Sequence, residues 1–360
     1  MKRNLAHIVL SLIMVLSWTQ FGASQEPNQA QSSDQYNPRL IPSKEIPVPS
    51  TVSPELKQVI SRPLEPVWNL SPATKEEWHA LVDQKSKMNV ALFSKLVEKF
   101  PVVIDSITIG GANAQLVTPH SLPESNTNRI LIHLRGGGYV FNGGEAGIGE
   151  AVLMAYHGGF RVISIDYRMA PDHPYPAALE DAVNAYMEIV KTYKPGRVAI
   201  FGTSAGGGLA AATILKLQEL GAPLPRAVGL GTPWADLTKT GDTFFTNEYI
   251  DDVLVMYEGL LEACAKIYAG GNDIKDKYIS PVYAEYTKQF PPTILTTGTR
   301  DLFLSDTVRI HRKLRKADVM TELQISEGMS HAQYVMAFDS PESKEVFEGI
   351  AKFFDKNLER

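Results

Sequence analysis

Cysteine is almost absent: Cys264 is the only one in 360 residues. One thiol excludes an internal disulfide and a cysteine-built metal cluster. It sits in an apolar stretch, 253–268, that reads as helical, where a small buried side chain is expected and a catalytic one is not. Charge of one sign is also scarce. Lys and Arg number 35 against 40 Asp and Glu, a net charge of -5, and no basic run is clustered. That balance excludes an electrostatic footprint for nucleic acid. Membrane-spanning runs are missing as well. The apolar run 8–16 is too short to cross a bilayer comfortably. With Lys2 and Arg3 before it and Gly22-Ala23-Ser24 after it, it has the layout of a secretory signal peptide. The expected cut follows Ser24, with Ala23 the second choice, and no cysteine lies near enough for lipid attachment. Residues 1–24 would then be removed, leaving a secreted or periplasmic protein without a stable membrane anchor. Export without disulfides is no obstacle, because a chain of this length buries a sizeable core.

The organisation follows from punctuation and period. Residues 25–72 are polar and proline-rich, which predicts an extended, loosely structured lead-in. A helical spacing over 74–100 carries Trp78, Leu81, Val82, Met88, Leu92 and Leu96. Strand-like runs then appear at 102–109, 115–118, 129–134, 161–166, 197–201, 227–230, 292–297 and 321–326. Helical patterns fall at 148–157, 177–193, 205–220, 305–317 and 342–354. Such alternation predicts an α/β fold with a mostly parallel sheet covered on both faces. The first two strands have no helix between them and should pair antiparallel at one edge. The alternation breaks over 234–278, read as an insertion. With the helix inside 25–100, it would form a cap over the catalytic domain, 101–360.

Within this frame Val198-Ala-Ile-Phe-Gly202-Thr-Ser204-Ala-Gly206 reads as strand, tight turn and helix start. That is the context of a nucleophile elbow. Serine is a poor nucleophile at neutral pH, so it needs a base, and the base an orienting acid. Only His311 and His331 follow Ser204. His311 lies in a basic helical pattern, where a solvated face is natural. His331 lies in a loop after the strand 321–326, at the carboxyl end where sites form in open α/β sheets. Asp301 lies in the loop after the strand 292–297. Asp306 comes next, at the start of a helix, a routine first-turn position. Ser204, Asp301 and His331 are therefore the candidate triad. Arg135-Gly136-Gly137-Gly138 follows another strand and can turn bare N–H groups, with that of Ala205, toward one point.

These residues, together with Gly136-Gly137-Gly138-Tyr139, the block 166–181, Gly202-Thr-Ser-Ala-Gly-Gly207 and Ser280-Pro281, resemble the bacterial hormone-sensitive-lipase-like carboxylesterases. This is an α/β-hydrolase family, and the match spans roughly residues 100–357. Its Gly-Thr-Ser-Ala-Gly subgroup accounts for Thr203 where Asp often stands. The resemblance implies hydrolysis of short- or medium-chain carboxylic esters through an acyl-enzyme. It implies oxyanion donors at Gly137, Gly138 and Ala205, a helical cap, and a small-molecule ester as partner. No metal or organic cofactor is required. Lactone hydrolysis, acyl transfer to another acceptor, or ligand binding without turnover would use the same fold. Monomer and homodimer both stay open. The block 166–181 reads as structural, with an Asp166–Arg168 ion pair expected inside it. The clearest departure is Arg135, where the family usually has His. Arginine donates but cannot accept, so the glycine loop must be braced differently; a histidine restored there should be tolerated. His133 reads as part of the strand.

Overall fold

A computed structural model describes residues 38–359. The signal peptide and its cleavage site, expected at 1–24, lie outside the described residues. Residues 38–45, belonging to a first unit, are exposed and irregular. The second unit, Ile46–Arg360, carries the fold.

In chain order the elements are α1 (Pro54–Ile60), α2 (Lys75–Lys99), β1 (Val102–Ile109), β2 (Ala112–Pro119), β3 (Ile130–Leu134), α3 (Gly149–Gly158), β4 (Arg161–Asp166), α4 (Ala177–Ile189) and β5 (Val198–Thr203). Then come α5 (Ala205–Glu219), β6 (Ala227–Gly231), α6 (Thr243–Thr246), α7 (Leu260–Ala269), β7 (Thr293–Gly298), α8 (Leu304–Lys316), β8 (Thr321–Ser326), α9 (Gln333–Met336) and α10 (Pro341–Asn357). The strands form one sheet in the order β1-β2-β4-β3-β5-β6-β7-β8. β1 pairs antiparallel with β2, and β2 with β4; the pairs from β4 across to β8 are parallel. The order reverses between β3 and β5, and the loops after these two strands open into one crevice.

Side-chain alternation explains the apolar central strands. Ile130 and Ile132 of β3 join one core and Leu131 the other; Val198 and Ile200 of β5 oppose Ala199 and Phe201 in the same way. With α3 and α10 packed on one face and α4, α5 and α8 on the other, both faces of these strands are dry. The edge strands β1 and β8 instead alternate between exposed and half-buried residues.

Three local expectations are corrected. The lead-in is not uniformly loose, because α1 buries Leu56, Val59 and Ile60. Its cap Ser53 accepts the Leu56 N–H and gives its own N–H and hydroxyl to Glu342 at 2.7 Å each. Seven residues are too few to show a helical period. The stretch 253–268 is helical only from Leu260, and the preceding turn is held by side-chain bonds described below. In α2, capped reciprocally by Thr74 and Glu77, Trp78, Leu81 and Leu96 are buried, but Met88 is 60% exposed. The helix packs by its two ends, and its middle turns Asn89 and Leu92 toward a cavity.

Candidate active site

Ser204 joins β5 to α5 with φ 63° and ψ -126°, a conformation a side chain adopts only under constraint. The constraint is visible. Its N–H donates to the Gly231 carbonyl at 2.9 Å, and its own carbonyl accepts the N–H groups of Gly208 and Trp234. A Cβ at Gly202 or Gly206 would run into the Leu134 carbonyl of β3, so only glycine lets strand, turn and helix cross here. Ser204 occupies the cap position of α5 without using its hydroxyl as a cap. The first N–H groups of the helix, that of Ala205 included, therefore stay available to an anion.

His331 and Asp301 meet at strand ends. His331 Nδ1 lies 3.1 Å from Asp301 Oδ1, and both residues are buried. The Asp301 carboxylate also accepts the Thr297 hydroxyl at 2.8 Å and the Phe303 N–H at 2.8 Å. Burial alone would raise its pKa. The facing His331 and hydrogen bonds from His331, Thr232 and Phe303 outweigh burial and hold the carboxyl below its ordinary value. Sequence reasoning missed Thr232. Its hydroxyl oxygen is 2.8 Å from His331 Nδ1, closer than Asp301. It sits at φ 31°, unusual for a β-branched residue. Its only sequence signal is its place directly after β6. With Nδ1 committed to Asp301 and Thr232, Nε2 is the nitrogen left for the cavity, where Ser204 also opens. No hydrogen bond joins Ser204 to His331 among the described residues. In unliganded sites this contact is often long. His311 lies half-buried on α8, away from this cluster. Asp306 is not a routine first-turn residue either: it is fully buried and accepts the N–H groups of Ala235 and Asp236.

The glycine loop after β3 rides over Ser204. A Cβ on Gly136 would stand 2.8 Å from the Thr203 carbonyl and 3.3 Å from Ser204 Cβ. Gly137 and Gly138 have φ of 124° and 61°. Among the described residues, the N–H groups of Gly137, Gly138 and Ala205 donate to no protein acceptor. Arg135 shows how the loop is braced without histidine. Its guanidinium donates to the carbonyls of Ile165 and Tyr167, each at 2.7 Å, and pairs with Asp166 at 2.9 Å. The Tyr167 hydroxyl returns a bond to the Arg135 carbonyl at 2.6 Å. The expected Asp166–Arg168 pair is thereby overturned: Asp166 serves Arg135, and Arg168 binds Asp181 at 2.9 Å. The rest of the block 166–181 links neighbours, through Ala170 to Tyr139, Asp172 to His79 of α2, and Tyr175 to Tyr268 of α7.

Behind Ser204 runs a buried polar chain. Thr203 donates to Glu150 at 2.6 Å and accepts from the Tyr334 hydroxyl at 2.5 Å. Glu150 Oε2 takes the Nε2–H of His133 at 3.0 Å, and His133 Nδ1 meets the Ser164 hydroxyl at 2.9 Å. Glu150 thus supplies, from α3, a carboxylate beside Thr203. The cavity above Ser204 holds about 340 Å³. Gly137, Gly138, Ser204 and His331 form its floor, and Leu92, Phe93, Val253, Leu254, Leu260 and Val335 are among its apolar walls. Cys264 packs under Gly138, and burial pushes its thiol up to about 12, so it is inert as a nucleophile.

A family profile described as the alpha/beta hydrolase fold matches residues 131–335. An acetyl-hydrolase of Streptomyces hygroscopicus is 30% identical over 250 residues, 69% of this chain and 81% of that protein. An esterase of Acinetobacter venetianus is 28% identical over 289 residues, 76% of this chain and 92% of its own. The crystal structure of one esterase superposes with a TM-score of 0.86 at 38% identity, covering 89% of this chain and 99% of that one. An esterase from the bacterial hormone-sensitive lipase family superposes at 0.73 with 27% identity, over 85% of this chain and 99% of its own.

Proposed function

The chain belongs to the α/β-hydrolase family, among its bacterial hormone-sensitive-lipase-like members, and from that premise we propose that it is a carboxylesterase working through an acyl-enzyme on Ser204. The observation that carries the reading is convergence. A strained serine, an Asp301–His331 pair and three unpaired N–H groups stand at the carboxyl ends of β3, β5, β7 and β8, four of five consecutive strands of the sheet.

Ser204 Oγ adds to the ester carbonyl carbon while its proton passes to His331 Nε2. The carbonyl oxygen becomes an oxyanion and is held by the N–H groups of Gly137, Gly138 and Ala205. Collapse breaks the bond to the alkoxy group, which takes the proton from His331 and leaves as the alcohol. Water then adds to the acyl carbon, giving its proton to His331, and a second collapse returns that proton to Ser204 and releases the acid. Asp301 keeps the imidazole oriented and stabilises its cation. The apolar walls and the volume of about 340 Å³ favour short or medium acyl chains. The signal-peptide pattern supports action outside the cytoplasm; among the described residues no helix is long and apolar enough to cross a membrane. Binding without turnover would need an oxyanion loop crippled by Arg135. Its bonds to 165–167 leave the loop's donors free, which favours catalysis.

The test is fluorophosphonate labelling of the purified protein with the adduct located by mass spectrometry. The label is expected on Ser204 and expected to be lost in His331→Ala. Label elsewhere, or labelling indifferent to His331→Ala, would sink the assignment.

A further inference from the structure

We propose that Asp251, which the triad does not use, is a positioning residue that holds the acid loop, the base loop and a substrate-lining turn in one fixed arrangement. The proposal rests on the serine-esterase reading above. Asp251 is fully buried, in the inserted segment between β6 and β7. Its Oδ2 accepts the N–H of Leu302, the residue after Asp301, at 2.8 Å. The same oxygen accepts the N–H of His331 itself at 3.2 Å. Its Oδ1 accepts the N–H groups of Val253 and Leu254 at 2.9 and 3.0 Å, and those two side chains line the cavity. One carboxylate therefore satisfies four backbone donors from three segments far apart in the chain.

The neighbours reinforce the same junction. Asp251 N–H donates to the Asn247 carbonyl at 3.0 Å. The Asn247 amide donates to the Asp301 carbonyl at 2.9 Å. Asp252 takes the Ser330 hydroxyl oxygen as acceptor for its N–H at 3.3 Å, and its carboxylate accepts from Gln333 at 2.7 Å. The charged and titratable groups facing Asp251 are Asp301 and His331. Burial first, and then the Asp301 charge, push the Asp251 carboxyl above its ordinary range, while His331 and the N–H groups of Leu254 and Leu302 oppose the shift. A buried anion with no cationic side chain bonded to it is retained here because four N–H donors converge on it. An amide at this position keeps one acceptor and turns its NH₂ group toward two backbone N–H groups. The loops that carry Asp301 and His331 must then separate. A misplacement on the order of 1 Å in such a pair costs about a hundredfold in rate.

The experiment compares wild type, Asp251→Asn and Ser204→Ala with 4-nitrophenyl butyrate. Asp251→Asn is expected to lower kcat by about 10- to 100-fold with KM within about twofold. The far-ultraviolet dichroism should match wild type, and the downfield proton resonance of the His331–Asp301 hydrogen bond should shift or vanish. If Asp251→Asn is recovered unfolded, Asp251→Ser carries the same test, since its smaller side chain lets water meet the four donors. A folded variant with wild-type kcat overturns the proposal. So does a loss of rate that tracks the unfolded fraction while the downfield resonance stays in place. Activity surviving in Ser204→Ala would instead overturn the esterase reading, and the two failures are thereby told apart.

Discussion

At the scale of single residues, Arg135 and Thr232 show what a linear motif conceals. Position 135 reads as a departure at which a restored histidine should be tolerated. The structure reverses that expectation, because the guanidinium spans two carbonyls and a carboxylate that an imidazole cannot reach together. Arg135→His is expected to destabilise the protein by about 3 kcal/mol, since it strands buried acceptors. Chemical denaturation at neutral pH checks this, and a stability equal to wild type would refute it. Thr232 shares Nδ1 of His331 with Asp301. Thr232→Val keeps the shape and removes the hydroxyl, so kcat should fall about tenfold, while Thr232→Ser should stay within about twofold. Equal steady-state rates in the two variants would dismiss the role. Ser204, Asp301 and His331 were legible because each follows a strand in an ordered pattern. Thr232, Asp251 and Glu150 were not, because their partners lie 99, 80 and 53 residues away in the chain.

At the scale of elements, the parallel strands and the long helices follow their hydrophobic period, and most boundaries fall within a residue or two of expectation. The departures are short or two-sided. α1 has seven residues, yet Ile60 and Pro49 pack on Gly328, three residues before His331. Leu56→Ala should therefore cost about 3 kcal/mol and lower Tm by roughly 6–12 °C, as scanning calorimetry would show. An unchanged Tm would mean that α1 packs only weakly. The inserted segment shows the opposite lesson. Its apolar residues suggest one helix over 253–268, but the carboxylate of Asp251 captures the N–H groups of Val253 and Leu254 and delays the helix to Leu260. Side-chain competition of that kind leaves no periodic trace.

At the scale of the whole molecule, the sheet reversal between β3 and β5 places the glycine loop against Ser204, and β6, β7 and β8 bring Thr232, Asp301 and His331 to the same end. Closing this architecture leaves carboxylates in dry places. Burial, then the nearby Asp236, hold the Asp306 carboxyl well above the usual carboxylate range. A raised carboxyl pKa favours the folded state below the unfolded value, and that contribution is lost as pH rises through the folded one. Wild type should therefore lose stability relative to Asp306→Asn between pH 5 and pH 8. Melting temperatures of both proteins at the two pH values check the sign, and a difference that is constant or reversed would refute it. The sequence by itself determined the α/β alternation, the serine on its glycine turn and the strand-end places of Asp301 and His331, because each is written in local period and in residue types at fixed offsets. Only the tertiary structure decided that Arg135 braces the loop, that Glu150 stands beside Thr203 and that Asp251 joins the loops of Asp301 and His331. Buried polar groups must find partners wherever folding brings the backbone, and that pairing is a property of the packed sheet that no local stretch of sequence contains.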